Sequence, residues 1–235
     1  MFYKFRKLWR LLNLRNFHNQ GVAMIILVGG EKGGSGKSCL AQNIAVYLKQ
    51  KGRDIKIVDA DPQGTTIFWI KEREANEDVE NIPAEIATGN IRETLKALSE
   101  KHQDIIVDAG GQDSEALRSA MTVATHMLIP FRPKRRDLRT LINMEEMIKL
   151  AKTVNFDLIV NAVITQCPSL PSQAPRILEA KEVCTSFGIE PLNSITTTRN
   201  IYDDADENGI SVLETKADKK AAHEIISIAE EFLKI

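Results

Sequence analysis

Apolar positions along this chain follow two alternating rhythms. Short unbroken runs such as Met24-Ile25-Ile26-Leu27-Val28 give way to longer stretches in which apolar residues recur every three or four positions. A run that stops at Gly29-Gly30 is what a strand covered on both faces looks like. The stretch 38–50 then predicts a helix with Leu40, Ile44, Tyr47 and Leu48 on its inner face and Gly52 as its stop. The same reading predicts strands over 55–58, 104–107, 126–129 and 158–164. It predicts helices over 65–74, 91–101, 114–125, 137–153, 175–187 and 217–233. Alternation of this kind implies an α/β fold, a predominantly parallel sheet flanked by helices on both faces. Such sheets take their ligands at the carboxyl ends of the strands. No linker-like or repeated stretch divides 24–235, which reads as one domain.

Composition narrows the class. The chain has 235 residues, 43% hydrophobic and 27% charged, a globular balance that excludes collagen-like and disordered chains. No apolar run approaches the ~18 residues of a membrane-spanning helix. Cys39, Cys167 and Cys184 form no CxxC pair, which argues against a zinc ribbon or a disulfide framework and for a cytosolic protein. The net charge of −1 hides an asymmetry: residues 1–23 hold five basic residues and no acidic one, and the remainder holds 26 basic and 32 acidic. Nucleic acid would have to be met by a local basic patch.

Residues 1–23 form a separate basic amphipathic extension. Phe2, Phe5, Leu8, Trp9 and Leu12 share one face at helical spacing, with Lys4, Arg6, Lys7 and Arg10 mostly elsewhere. Three readings stand: contact with a membrane or partner through 1–17, an unstructured tail, or a start upstream of a native one at Met24. The segment lacks a small-residue cleavage site after an apolar core, so it is not read as a secretory signal.

Three motifs fall at predicted strand ends. The first is Glu31-Lys32-Gly33-Gly34-Ser35-Gly36-Lys37-Ser38. Its glycines let backbone N–H groups turn inward on a phosphate, and the helix that follows adds its positive end. Lys37 suits the β- and γ-phosphates, and the Ser38 hydroxyl suits Mg²⁺. Glu31 stands where the ordinary P-loop has its first glycine, and Lys32 is a second lysine inside the loop. The second motif, Asp59-Ala60-Asp61-Pro62-Gln63-Gly64, puts two carboxylates on one side of a strand end, where they can serve a metal and a water. The third, Ile105-Ile106-Val107-Asp108-Ala109-Gly110-Gly111, has the Walker B form of apolar residues ending in a carboxylate.

Together these motifs resemble the deviant Walker A ATPases of the ParA/MinD group, and most closely the small ParA-type partition proteins. The resemblance runs from Met24 to the end and includes Arg199-Asn200-Ile201-Tyr202 and Val212-Leu213-Glu214 before the last helix. It implies ATP and Mg²⁺ as ligands, slow hydrolysis to ADP and phosphate, and a homodimer in the ATP state. It also implies non-specific DNA binding, a stimulating ParB-type partner and a cytoplasmic, nucleoid-associated protein. Residue by residue, it implies that Lys32 reaches across to the partner subunit's phosphates while Lys37 acts in its own site. Gly33, Gly34, Ser35, Gly36, Ser38 and Cys39 complete the nucleotide loop. Asp61 orients the attacking water, and Ser38, Asp59, Asp61 and Asp108 lie on the metal side. Asn161 matches an adenine-contacting Asn, although Ala162 stands where an Arg often follows it. The usual D-T-P-P of the third motif is D-A-G-G here. Cys39, a thiol at a helix start, is a candidate for a lowered pKa.

For DNA, the best patch is 131–139, with Arg132, Lys134, Arg135, Arg136 and Arg139, and Arg199, Lys216, Lys219 and Lys220 are further candidates. An equally open reading makes 132–139 a solvated loop or a dimer or partner surface. Two other classes compete: a MinD-like, membrane-recruited positioning ATPase, and a metabolic ligase of the same superfamily. The nitrogenase iron protein is excluded because its cluster cysteines have no counterpart.

Overall fold

The computed structural model describes residues 23–111 and 114–235. Among these residues, seven strands form one sheet: β1 Met24–Val28, β2 Ile55–Ala60, β3 Ala84–Ile86, β4 Asp104–Ala109, β5 His126–Phe131, β6 Ile159–Cys167 and β7 Glu190–Thr197. Their spatial order is β3-β2-β4-β1-β5-β6-β7, and every pairing is parallel. The nine α-helices among the described residues are α1 Lys37–Gln50, α2 Thr65–Glu74, α3 Arg92–Ser99, α4 Glu115–Met121, α5 Arg135–Leu138, α6 Leu141–Val154, α7 Ala174–Ser186, α8 Ile201–Asp206 and α9 Lys219–Leu233.

The strands' two-residue period splits the core in two. In β1, Ile25 and Leu27 join one buried cluster with Leu95 of α3, Leu117 of α4, Met144 of α6 and Ala180 of α7. Ile26 and Val28 face the opposite cluster, with Leu40 and Ile44 of α1, Trp69 of α2 and Ile225 and Phe232 of α9. Each fully buried Leu, Ile, Val, Met or Phe among them contributes roughly 1.5–3 kcal/mol by leaving water. The same period fixes a polar residue: Ile105 and Val107 of β4 enter the first cluster and Ile106 the second, so Asp108 points to the side of α1 and α2.

Four differences from the sequence reading stand out. The short β3 and the polar β7 were not predicted; they are the two edges of the sheet, where an apolar run is not required. The single helix expected over 137–153 is two, α5 and α6, broken at Arg139-Thr140. The helix expected over 114–125 ends at Met121, and α8 forms in a stretch where none was predicted. The expectations for 1–17, and the extension as a whole up to Val22, lie outside the described residues. Among the described residues, no helix is long and apolar enough to cross a membrane.

Candidate active site

The loop between β1 and α1 folds around its own lysine. Lys37 is 6% exposed, and its Nζ donates to the Lys32 carbonyl at 2.9 Å. The Ser35 hydroxyl donates to the same carbonyl at 3.1 Å. Burial lowers the Lys37 pKa, while Asp108 and Asp61 pull it back up. Gly36 enters α1 at φ 89°, a left-handed turn that favours glycine. From outside, the Thr165 hydroxyl donates to the Ser35 carbonyl at 2.8 Å, and the Gln166 amide donates to the Gly34 carbonyl at 3.0 Å. The Lys32 ammonium has no hydrogen bond or ion pair among the described residues.

The two acidic motifs meet this loop. A Cβ added to Gly111 would lie 3.2 Å from Lys37 Nζ and 3.2 Å from Gly33 N. One added to Gly110 would lie 3.3 Å from the Asp61 carboxyl carbon. The third motif thus touches both the first and the second. Asp59 is 1% exposed, and its oxygens accept from Asp61 N at 3.0 Å and Ile67 N at 2.7 Å. It therefore fixes the turn and caps the start of α2. Burial nonetheless raises its pKa. Asp61 is less buried and accepts from Gln63 N at 2.9 Å.

Asp108 is fully buried. Its Oδ2 accepts from the Thr66 hydroxyl at 2.7 Å, and its Oδ1 has no partner. Burial pushes its carboxyl up to about 7, against the pull of the Thr66 and Ser38 hydroxyls, with Asp59 and Asp61 adding to the rise. A buried carboxylate oxygen without a partner is costly. A hard cation shared with the Ser38 hydroxyl would satisfy it, so these residues fit Mg²⁺. Among the described residues there is no group of three or more His, Cys, Asp and Glu that could hold a metal unaided.

Other expected residues fall elsewhere. Because β6 runs on to Cys167, Asn161 lies near its start, level with Leu128, and its amide donates to the Glu190 carbonyl. The residues of that strand at the loop are Thr165 and Gln166. Both are polar and follow the point, Ile164, where the apolar run of β6 stops. The Cys39 thiol is not activated: burial pushes it up to about 12, and Asp206 and Asp203 add to the rise. Arg199 is held by Asp218 at 3.0 Å and Glu224 at 3.1 Å, so its charge is already matched. Arg132 is likewise paired, with Asp137. Lys134, Arg135, Arg136, Arg139, Lys216, Lys219 and Lys220 are exposed. Thr66, on α2, escaped the sequence reading because only the fold brings it to Asp108.

Beside the loop, a groove of about 510 Å³ runs between α4 and α6, lined by Glu31, Met121, Asn143, Met147 and Leu150 among others. The Asn143 amide donates to Glu31 at 3.2 Å.

Residues 26–212 match the family described as the CobQ/CobB/MinD/ParA nucleotide binding domain. The chain is 29% identical over 218 residues to the Maintenance of carboxysome distribution protein A of Halothiobacillus neapolitanus, covering 90% of this chain and 97% of that one. It is 29% identical over 148 residues to Protein ParA of Rhizobium radiobacter, covering 59% and 66%. Among solved structures, the ATP complex of a Cyanothece McdA variant superposes with a TM-score of 0.74 at 17% identity, covering 92% of this chain and 98% of that one.

Proposed function

From the CobQ/CobB/MinD/ParA nucleotide-binding family, to which this chain belongs as a ParA/MinD-type ATPase, we propose that it dimerises around ATP and partitions plasmid or chromosomal DNA. In this reading the dimer holds non-specifically to DNA at the nucleoid, and a ParB-type partner stimulates hydrolysis. One observation carries the reading: all three motifs converge on Lys37, with Gly111 against its ammonium and Asp61 against Gly110.

The roles follow from the geometry. Lys37, freed from the Lys32 carbonyl, neutralises the phosphates in its own loop. Lys32, with no partner among the described residues, is available to a second subunit. ATP carries about four negative charges, so two facing copies repel unless cations lie between them. Lys32 supplies one from each side, and its hold ends when the terminal phosphate leaves. Ser38 and Asp108 would hold Mg²⁺, which would supply charge neutralisation for the phosphates. Asp61 accepts a hydrogen bond from the water that attacks the terminal phosphorus as the bond to ADP breaks. Positioning and charge neutralisation carry most of phosphoryl transfer, so turnover is slow until a partner orders the site. Asp59 keeps Asp61 and α2 in place.

The exposed cations of 134–139 and 216–220 give the DNA reading its surface. A dimer doubles the phosphates each molecule neutralises, so affinity rises steeply on dimerisation and falls with salt. Duplexes of unrelated sequence, tested with ATP or ADP at two salt concentrations, check this. We expect ATP-dependent, salt-sensitive retention that Lys32→Ala or Lys37→Ala removes. Equal retention with ADP, or none with either nucleotide, contradicts the DNA role. The whole-length match to a protein named for carboxysome distribution favours a second reading, in which the cargo is a protein body. Deleting the gene separates the two: plasmid loss supports the first, and a misplaced protein body the second.

A further inference from the structure

Arg132 differs from the other cations around it. Lys134, Arg135, Arg136 and Arg139 are exposed and make no side-chain hydrogen bond or ion pair among the described residues. The Arg132 side chain is only 19% exposed. Its Nε donates to Asp137 Oδ2 at 2.6 Å and its Nη2 to Oδ1 at 3.1 Å, and its backbone N–H donates to Oδ2 at 3.4 Å. Asp137 lies in α5 and is 1% exposed. The remaining nitrogen, Nη1, faces the phosphate loop, 3.7 Å from where a Cβ on Gly34 would stand. One residue earlier, the Phe131 carbonyl is 3.3 Å from the Thr165 hydroxyl, which is 2.8 Å from the Ser35 carbonyl. The guanidinium therefore lies between the phosphate loop at Gly34 and the short helix that carries Arg135 and Arg136.

We propose that Arg132 is a positioning residue that seats α5 on the phosphate loop, so that loop and basic patch are held as one unit. It is not itself a DNA contact. The inference rests on the ATP and DNA reading above and adds the link between its two sites. A two-pronged guanidinium–carboxylate pair fixes orientation as well as distance. A lysine keeps the charge and loses the fork, which separates this role from simple phosphate neutralisation.

The test compares Arg132→Lys, Asp137→Asn and the double variant Arg135→Ala/Arg136→Ala with the wild type. Binding of a fluorescent ATP analogue and DNA retention with ATP are both measured, and melting temperature checks folding. We expect Arg132→Lys and Asp137→Asn each to weaken nucleotide binding roughly tenfold, and DNA retention with it. The double variant should lose DNA retention alone. Should Asp137→Asn fail to fold, Arg132→Lys decides. Wild-type nucleotide binding in Arg132→Lys overturns the proposal, whether or not its DNA retention changes. If the wild type retains no DNA with ATP, the DNA reading fails, and the nucleotide arm still decides whether Arg132 positions the loop.

Discussion

At Gly111 the chain comes within contact distance of two groups that a triphosphate needs, Lys37 Nζ and the Gly33 N–H, and a Cβ would stand 3.2 Å from each. The Lys37 ammonium can give way at its flexible end but the Gly33 backbone must shift by a few tenths of an ångström, so Gly111→Ala should weaken ATP binding. Titration calorimetry checks this, with the melting temperature close to wild type because the loop lies at the rim of the fold. Much of this site was legible in the sequence. Lys32, Lys37, Asp61 and Asp108 sit in contiguous motifs at strand ends, where the parallel sheet gathers its ligands. Residues whose partner is chosen by tertiary register were not legible. Thr66 reaches Asp108 across 42 positions, and Gln166 reaches Gly34 across 132. Arg132, counted with its basic neighbours in the sequence, is set apart from them by the buried Asp137.

The elements show the same division. The inner strands were predicted from their apolar runs. The edge strand β7 was not, because its own residues are mostly polar and its partners, β6 and α9, are brought to it by the fold. Glu231 of α9 accepts from Asn193 N at 2.6 Å, Asn193 Nδ2 at 3.0 Å and Ser194 N at 2.8 Å. Burial alone would raise its pKa, but the backbone N–H groups of Asn193 and Ser194 prevail, and it falls below the ordinary 4.5. The folded state thus favours the carboxylate. Its contribution is full above the ordinary glutamate value and is lost as pH falls through the lowered one. Glu231→Gln should cost about 1 kcal/mol of stability at pH 7. Denaturant unfolding should show the gap between variant and wild type closing in acid; a gap that stays constant with pH contradicts the assignment.

On the scale of the molecule, a single parallel sheet brings three distant motifs to one end and leaves Lys32 beside them with no partner among the described residues. The account turns on what that ammonium does. Light scattering on the Asp61→Ala protein with Mg²⁺ and ATP measures it most directly, because this variant should bind without hydrolysing. The predicted result is twice the single-chain mass with ATP, reverting to one chain with ADP or when Lys32→Ala is added. Single chains in every nucleotide state would contradict the account.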